Sequence, residues 1–270
     1  MYRRHLMAAL GHIRRKKSVI FDESLRSILV VANASGTLLR PRHQLIARWV
    51  GKELSSQDLR EEAIVSLLTE LSADVTPSEI KRRSPAYIAY RGLISSEGLF
   101  ELFGGQGDVV LRIYEALRTA YDGDFLFWLQ YGMAHAKIGN LDVAENFVRQ
   151  SLEIRSTNNF QAMHQLGILH LMQAARSQNP GAMKEQAEEG RKILRVQIME
   201  RGDEESYPYG GYMTYVSRWY ISAKALITAK EWEDLRAIAR EGVAKYPLDD
   251  VIREALREVE RSYLMRLVKE

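Results

Sequence analysis

Trp128, Gly132, Ala144 and Ser151 recur at the same offsets as Trp219, Ala223, Leu235 and Gly242. That spacing constrains the fold more than any other feature, because it suits pairs of helices. The aromatic side chain wedges a first helix against its neighbour, and the small residue four positions on shares its face and lets two backbones close up. Gly139 permits the tight reversal after the first pattern, and Ala144 and Ser151 keep the second helix thin where it crosses the first. The second pattern ends on Pro247, where the first has Ser156.

Three helix pairs follow from this spacing. The first runs from Asp124 to about Arg155. The second begins near Phe160 with Gly167 in the small position, but its second helix, around Ala187 and Leu194, arrives late, which marks Asn179-Pro180-Gly181 as an insertion. The third pair recovers the pattern from Trp219. A last helix, with Val251, Ile252, Ala255, Leu256 and Val259 on one face and charges elsewhere, caps the stack. Upstream, Val109, Ile113, Leu117 and Ala120 define a helix just ahead of the first clear repeat, as expected of a degenerate entry repeat. Together the spacings resemble tetratricopeptide repeats, so the expected fold is all-α: an irregular tetratricopeptide-like α-solenoid over residues 76–270.

Residues 1–75 are expected to form a small helical domain. Leu59, Ile64, Leu67, Leu68 and Leu71 recur at helical spacing after a Ser56 cap. Thr76-Pro77-Ser78 then closes the domain. The stretch from Ser27 to Arg40 is rich in β-branched residues around Asn33 and Gly36, which suits a short hairpin like the wing of a winged helix. A helix continued through Asn33 is the rival reading.

Composition removes several classes of function. A chain of 270 residues with 46% hydrophobic content buries a substantial core. There is no cysteine, hence no disulfide, thiolate nucleophile or cysteine-bound zinc, and a reducing, cytoplasmic setting is expected. No stretch reaches the length of a membrane span, so no membrane partner is expected. The net charge of +3 conceals a basic N-terminus: residues 1–52 hold eleven Lys or Arg against Asp22 and Glu23. Arg14, Arg15, Lys16, Lys17 and Arg42 are the candidate nucleic-acid contacts, and the same charges equally suit docking on an acidic protein surface.

Motifs of catalysis are missing. No phosphate-binding loop is present, and Gly104-Gly105-Gln106-Gly107 lacks the lysine that would make it one, so it reads as a turn. His164 and His170 lie six apart, which separates them around a helix where metal ligands want three or four. No metal site, cofactor or catalytic residue is expected.

A concave groove lined by first helices is the expected binding surface, with Leu129, Met133 and Lys137 from the first repeat, His164 and Ile168 from the second, and Tyr220 and Lys224 from the third. Tyr207, Tyr209 and Tyr212 crowd a glycine-containing segment that reads as a partner-binding loop. A groove of the kind that clamps C-terminal carboxylates wants asparagine two positions before the small residue. This chain has Gln130, Gln165 and Ile221 instead.

Leu39-Arg40-Pro41-Arg42-His43, Ile113-Tyr114-Glu115, Phe127-Trp128-Leu129-Gln130-Tyr131-Gly132 and Tyr207-Pro208 resemble, in that order, the winged-helix and repeat region of the STAND class of bacterial antiphage proteins. The resemblance implies that residues 1 to about 75 are a connector and that the repeats sense an invader's protein. Neither the ATPase nor the effector of that class is in this chain, so it is expected to be a fragment or to work in trans with an ATPase or effector partner. The expected function is non-enzymatic protein recognition in an antiphage switch. The alternative is a nucleic-acid-binding regulator whose repeats receive a partner.

Overall fold

The computed structural model describes residues 30–32, 39–41, 57–75, 85–223 and 226–267. Among them the fold is all-α, with eleven helices and one three-residue antiparallel ladder that pairs β1 (Val30–Ala32) with β2 (Leu39–Pro41). The ladder lies in the segment that suited a hairpin. The chain divides into two compact units, Met1–Ile138 and Gly139–Glu270. The junction at Thr76-Pro77-Ser78 lies outside the described residues.

The N-terminal unit holds α1 (Gln57–Ser72), α2 (Pro85–Leu93), α3 (Ser96–Leu102), α4 (Gly107–Leu117) and α5 (Phe125–Ile138). α1 packs on α2 and α4, so these helices share one unit although the sequence assigned them to two domains. Leu67, Leu68 and Leu71 are buried on α1, and Val109, Ile113 and Leu117 on α4, as the helical period requires. Ala120 departs from that stripe: α4 ends at Leu117, and Ala120 is exposed in the following turn.

Rings fill the space between these helices. Phe127 lies edge-on to Tyr114 and flat on Tyr121, with centroids 5.8 Å away in both cases. The hydroxyls of this cluster find partners: Tyr114 donates to the Ile94 carbonyl, Tyr121 to that of Leu68, and Tyr131 to Glu115. Trp128, fully buried, donates its indole N–H to the Asp122 carbonyl at 2.7 Å. Asp124 starts α5 by accepting the Leu126 N–H. Gly104 and Gly105, at φ +61° and +84°, close α3 through Gly105 N–H to Phe100 O at 2.7 Å. They form a turn, as the absence of a following lysine implied.

The C-terminal unit holds α6 (Leu141–Ile154), α7 (Phe160–Arg176), α8 (Pro180–Arg201), α9 (Tyr207–Ser222), α10 (Ala229–Lys245) and α11 (Asp250–Leu267). Ala144 and Ser151 are buried on α6, which packs on α7. The most extensive contact joins α7 to α8 and depends on missing side chains. A Cβ at Gly190 would lie 2.8 Å from the Gly167 carbonyl oxygen, and one at Gly167 would lie 2.8 Å from Leu194 Cγ. Further along, α9 packs on α7, α8, α10 and α11, at the centre of the unit.

Two expectations about this unit need correction. The Asn179-Pro180-Gly181 insertion is not an extra loop. Asn179 caps α8 with Pro180 in its first turn, and the additional residues lengthen α7 and α8 to 17 and 22 residues. The tyrosine-rich segment is likewise no loop but the start of α9, with Gly210 and Gly211 inside the helix. Gly211 is there for space, because a Cβ would sit 2.2 Å from His164 Nε2.

Candidate functional site

Three of the six described groove residues predicted from the sequence, Leu129, Ile168 and Tyr220, are core. Leu129 is buried in the N-terminal unit, where Met133 is half-buried and Lys137 exposed over the Phe100 ring. In the other unit Ile168, Tyr209, Tyr212 and Tyr220 are all buried, the last three at 0%, 1% and 0% exposure. These side chains are spent mainly on internal packing. His164 and Tyr207 do come together, edge-on with centroids 5.0 Å apart. Burial lowers the His164 pKa to about 4, so the ring is neutral at pH 7. Lys224, Arg14, Arg15, Lys16, Lys17 and Arg42 lie outside the described residues.

An accessible groove of about 490 Å³ lies elsewhere, between α8 and α10 over a floor from α9. Helical spacing puts Arg191, Arg195, Ile198 and Met199 along one side of α8, and Asp234, Ile238, Glu241 and Lys245 along one side of α10. Tyr209 contributes to the floor.

Ion pairs join the two walls at both ends. Arg191 Nη1 meets Glu231 Oε1 at 3.2 Å and Glu188 Oε2 at 3.3 Å, with its guanidinium over the Tyr220 ring. At the other end Lys245 Nζ meets Asp203 Oδ1 at 2.7 Å and Glu241 Oε1 at 3.2 Å. The order of these clamps means that α8 and α10 run in the same direction.

The floor anchors the walls through hydroxyls. Tyr209 donates to Glu241 at 2.6 Å, and Arg195 Nε donates to the Tyr212 oxygen at 3.1 Å. The Tyr209 hydrogen bond, aided by Lys245, holds the Glu241 carboxyl below its ordinary pKa, although partial burial works against this. Both clamps are therefore charged at neutral pH. Asp234 differs from the other charged groove residues: it has no ion-pair or hydrogen-bond partner among the described residues.

Apolar surface is left open between the clamps. Met199 is 83% exposed, and Ile198 and Ile238 are half-buried beneath. The arrangement can grip an apolar segment between charged rims, and no cluster of His, Asp and Glu among the described residues could hold a metal ion.

The sequence does carry a signal for this groove, since Arg195, Ile198 and Met199 recur at helical spacing, as do Asp234, Ile238 and Glu241. On a lone helix such charges read as a solvated face. No described helix is long and apolar enough to cross a membrane. The sequence matches no protein-family model and none of the curated proteins with which it was compared.

Proposed function

We propose that this chain is a protein-recognition module that receives a partner segment in the groove between α8 and α10, as the sensing part of an antiphage switch. The single observation that carries the recognition reading is the open apolar strip around Met199, held between two ion-pair clamps. A methionine this exposed, on a rigid and charge-bordered wall, is surface suited to a partner.

The order of packing supports a tetratricopeptide-like stack for the C-terminal unit. Each helix packs on its sequence neighbour, α7 packs on α9 and α9 on α11, while α8 and α10 run in parallel as second helices of successive pairs would. The antiphage assignment rests on the resemblance of the Phe127-Trp128-Leu129-Gln130-Tyr131-Gly132 and Tyr207-Pro208 strings to STAND sensors. On that reading the partner is a phage protein, and an ATPase or effector subunit acts in trans.

Co-purification from phage-challenged cells tests the proposal. The tagged wild-type chain is expected to retain a phage protein that Met199→Glu, with unchanged circular dichroism, does not. Identical retention by both proteins overturns the groove reading. Retention of only host proteins overturns the antiphage assignment.

A further inference from the structure

We propose that the occupant of the α8–α10 groove is an amphipathic helix of about three turns, with an apolar stripe against Ile198, Met199 and Ile238 and a lysine or arginine opposite Asp234. This rests on the recognition reading above and adds the conformation and charge of the bound segment.

Length comes from the clamps. Arg191 and Asp203 are twelve positions apart. At about 1.5 Å per residue their separation is ~18 Å, which accommodates roughly three turns of helix.

Conformation comes from the walls. An extended segment docks where a sheet edge offers it unpaired N–H and C=O groups. Both walls here are helices, whose interior backbone groups are already bonded to one another. An extended peptide pressed into the groove would find only side chains, and no backbone ladder, to replace its backbone hydration, whereas a helix arrives with its own backbone bonded. Two parallel helices over a third also leave a furrow into which the side-chain ridges of another helix fit.

Charge comes from Asp234. Glu231, Glu241 and Asp203 are each neutralised by Arg191 or Lys245. Asp234 lines the groove without an ion-pair partner among the described residues, and with it Asp203 and Glu241 outnumber Arg195 and Lys245 in the lining, so a basic residue on the occupant complements the net negative charge there.

The test is selection from a displayed library of 14-residue peptides with the other positions randomised, half of them helix-compatible and half carrying a central proline. The full-length chain is the bait and Met199→Glu the background. Enrichment of proline-free peptides with Leu, Ile or Met at helical spacing and a Lys or Arg is expected. Their affinity is expected to fall about five- to tenfold with Asp234→Lys and to recover when the peptide's basic residue becomes Glu.

Enrichment of proline-containing peptides, indifference to Asp234→Lys, or no enrichment over background overturns the inference. Any of these alongside Met199-dependent retention of a phage protein sinks the helix proposal and leaves the recognition reading standing. Helical enrichment together with Met199-independent retention does the reverse.

Discussion

The helices of residues 57–138 and those of residues 139–267 each bury an apolar core, with different side chains. The N-terminal unit fills its interior with Tyr90, Tyr114, Tyr121, Phe127, Trp128 and Tyr131, and gives the hydroxyls of Tyr114, Tyr121 and Tyr131 and the indole N–H of Trp128 a partner, with only the Tyr90 hydroxyl of these left without one among the described residues. The C-terminal unit closes its tightest crossing by omitting side chains, at Gly167 and Gly190. It also leaves Trp219 Nε1, the Tyr220 hydroxyl, His164 Nδ1, Arg191 Nε and both His170 ring nitrogens buried without a hydrogen-bond partner among the described residues. Native interiors satisfy nearly all such atoms. The unit that carries the groove is thus the one that leaves more such atoms, and of the helices that bear them α8, with Arg191, forms a wall and α9, with Trp219 and Tyr220, the floor.

If rings hold the N-terminal unit together, removing one should have the largest effect of any single change considered. Phe127 is fully buried between Tyr114, Tyr121 and Trp128. Phe127→Ala is expected to cost roughly 3–5 kcal/mol, read as a lower urea midpoint and faster amide exchange over residues 57–138. A cost below about 1 kcal/mol would mean that the aromatic cluster is not what stabilises this unit.

The unsatisfied polar atoms of the C-terminal unit make a pH prediction of somewhat smaller size. With its pKa lowered by burial to about 4, folded His164 resists protonation that the unfolded chain accepts from about pH 6.5 downward. Between those values the unfolded state binds more protons, so stability falls as pH falls, by up to about 3 kcal/mol at pH 4, and the contribution levels off below that. His164→Gln cannot titrate. The wild-type-minus-variant difference in urea stability should decline from pH 6.5 to 4, and a flat difference would show that His164 is not held neutral by the fold.

Much of this architecture was legible in the residues, and the reasons for the remainder are local. The α1 and α4 stripes followed directly from period 3.6, because each helix buries one face. The groove did not. Offsets from the repeat placed Ile168 and Tyr220 on the concave surface, yet both are core, and the exposed side of α9 carries Arg218, Ile221 and Ser222. A shift of one residue turns a helix by about 100°, enough to exchange an open face for a buried one. Gly210-Gly211 suggested a loop because glycine usually punctuates, whereas here the neighbouring His164 requires the missing Cβ at Gly211. The walls of the accessible groove were hidden for another reason: whether Arg195 and Asp234 face solvent or a cleft depends on helices far away in sequence.

Glycine also sharpens the contrast between units. Gly190→Ala places a methyl 2.8 Å from the Gly167 carbonyl oxygen, a backbone atom that cannot rotate aside. Overpacking of this kind is expected to cost about 2 kcal/mol in the C-terminal unit. Gly104→Ala in the N-terminal unit meets no atom within 4 Å and bears only the strain of φ +61°, about 1 kcal/mol. Thermal unfolding of the two variants should rank them in that order. The reverse ranking would mean that the α7–α8 crossing can relax.

The smallest effect concerns a carboxyl inside the N-terminal core. Asp124 is buried, and burial raises its carboxyl pKa above the ordinary value, although the nearby Tyr90 hydroxyl and the Leu126 and Phe127 N–H groups oppose this. A carboxyl whose folded pKa is raised favours folding below its unfolded pKa and loses that advantage as pH rises through the folded value. Burial thus disfavours the ionised form of Asp124, which serves mainly as the cap of α5. Asparagine keeps the oxygen that accepts the Leu126 N–H and removes the charge. Asp124→Asn is expected to raise stability by about 1 kcal/mol at pH 7 and to make no difference near pH 3, where the aspartate is itself neutral. Asp124→Ala, which deletes the cap as well, should fall about 1 kcal/mol below Asp124→Asn at both pH values. If Asn destabilises the protein as much as Ala does, the charge itself holds α5 in place, and the N-terminal unit depends on an ionic contact as well as on its rings.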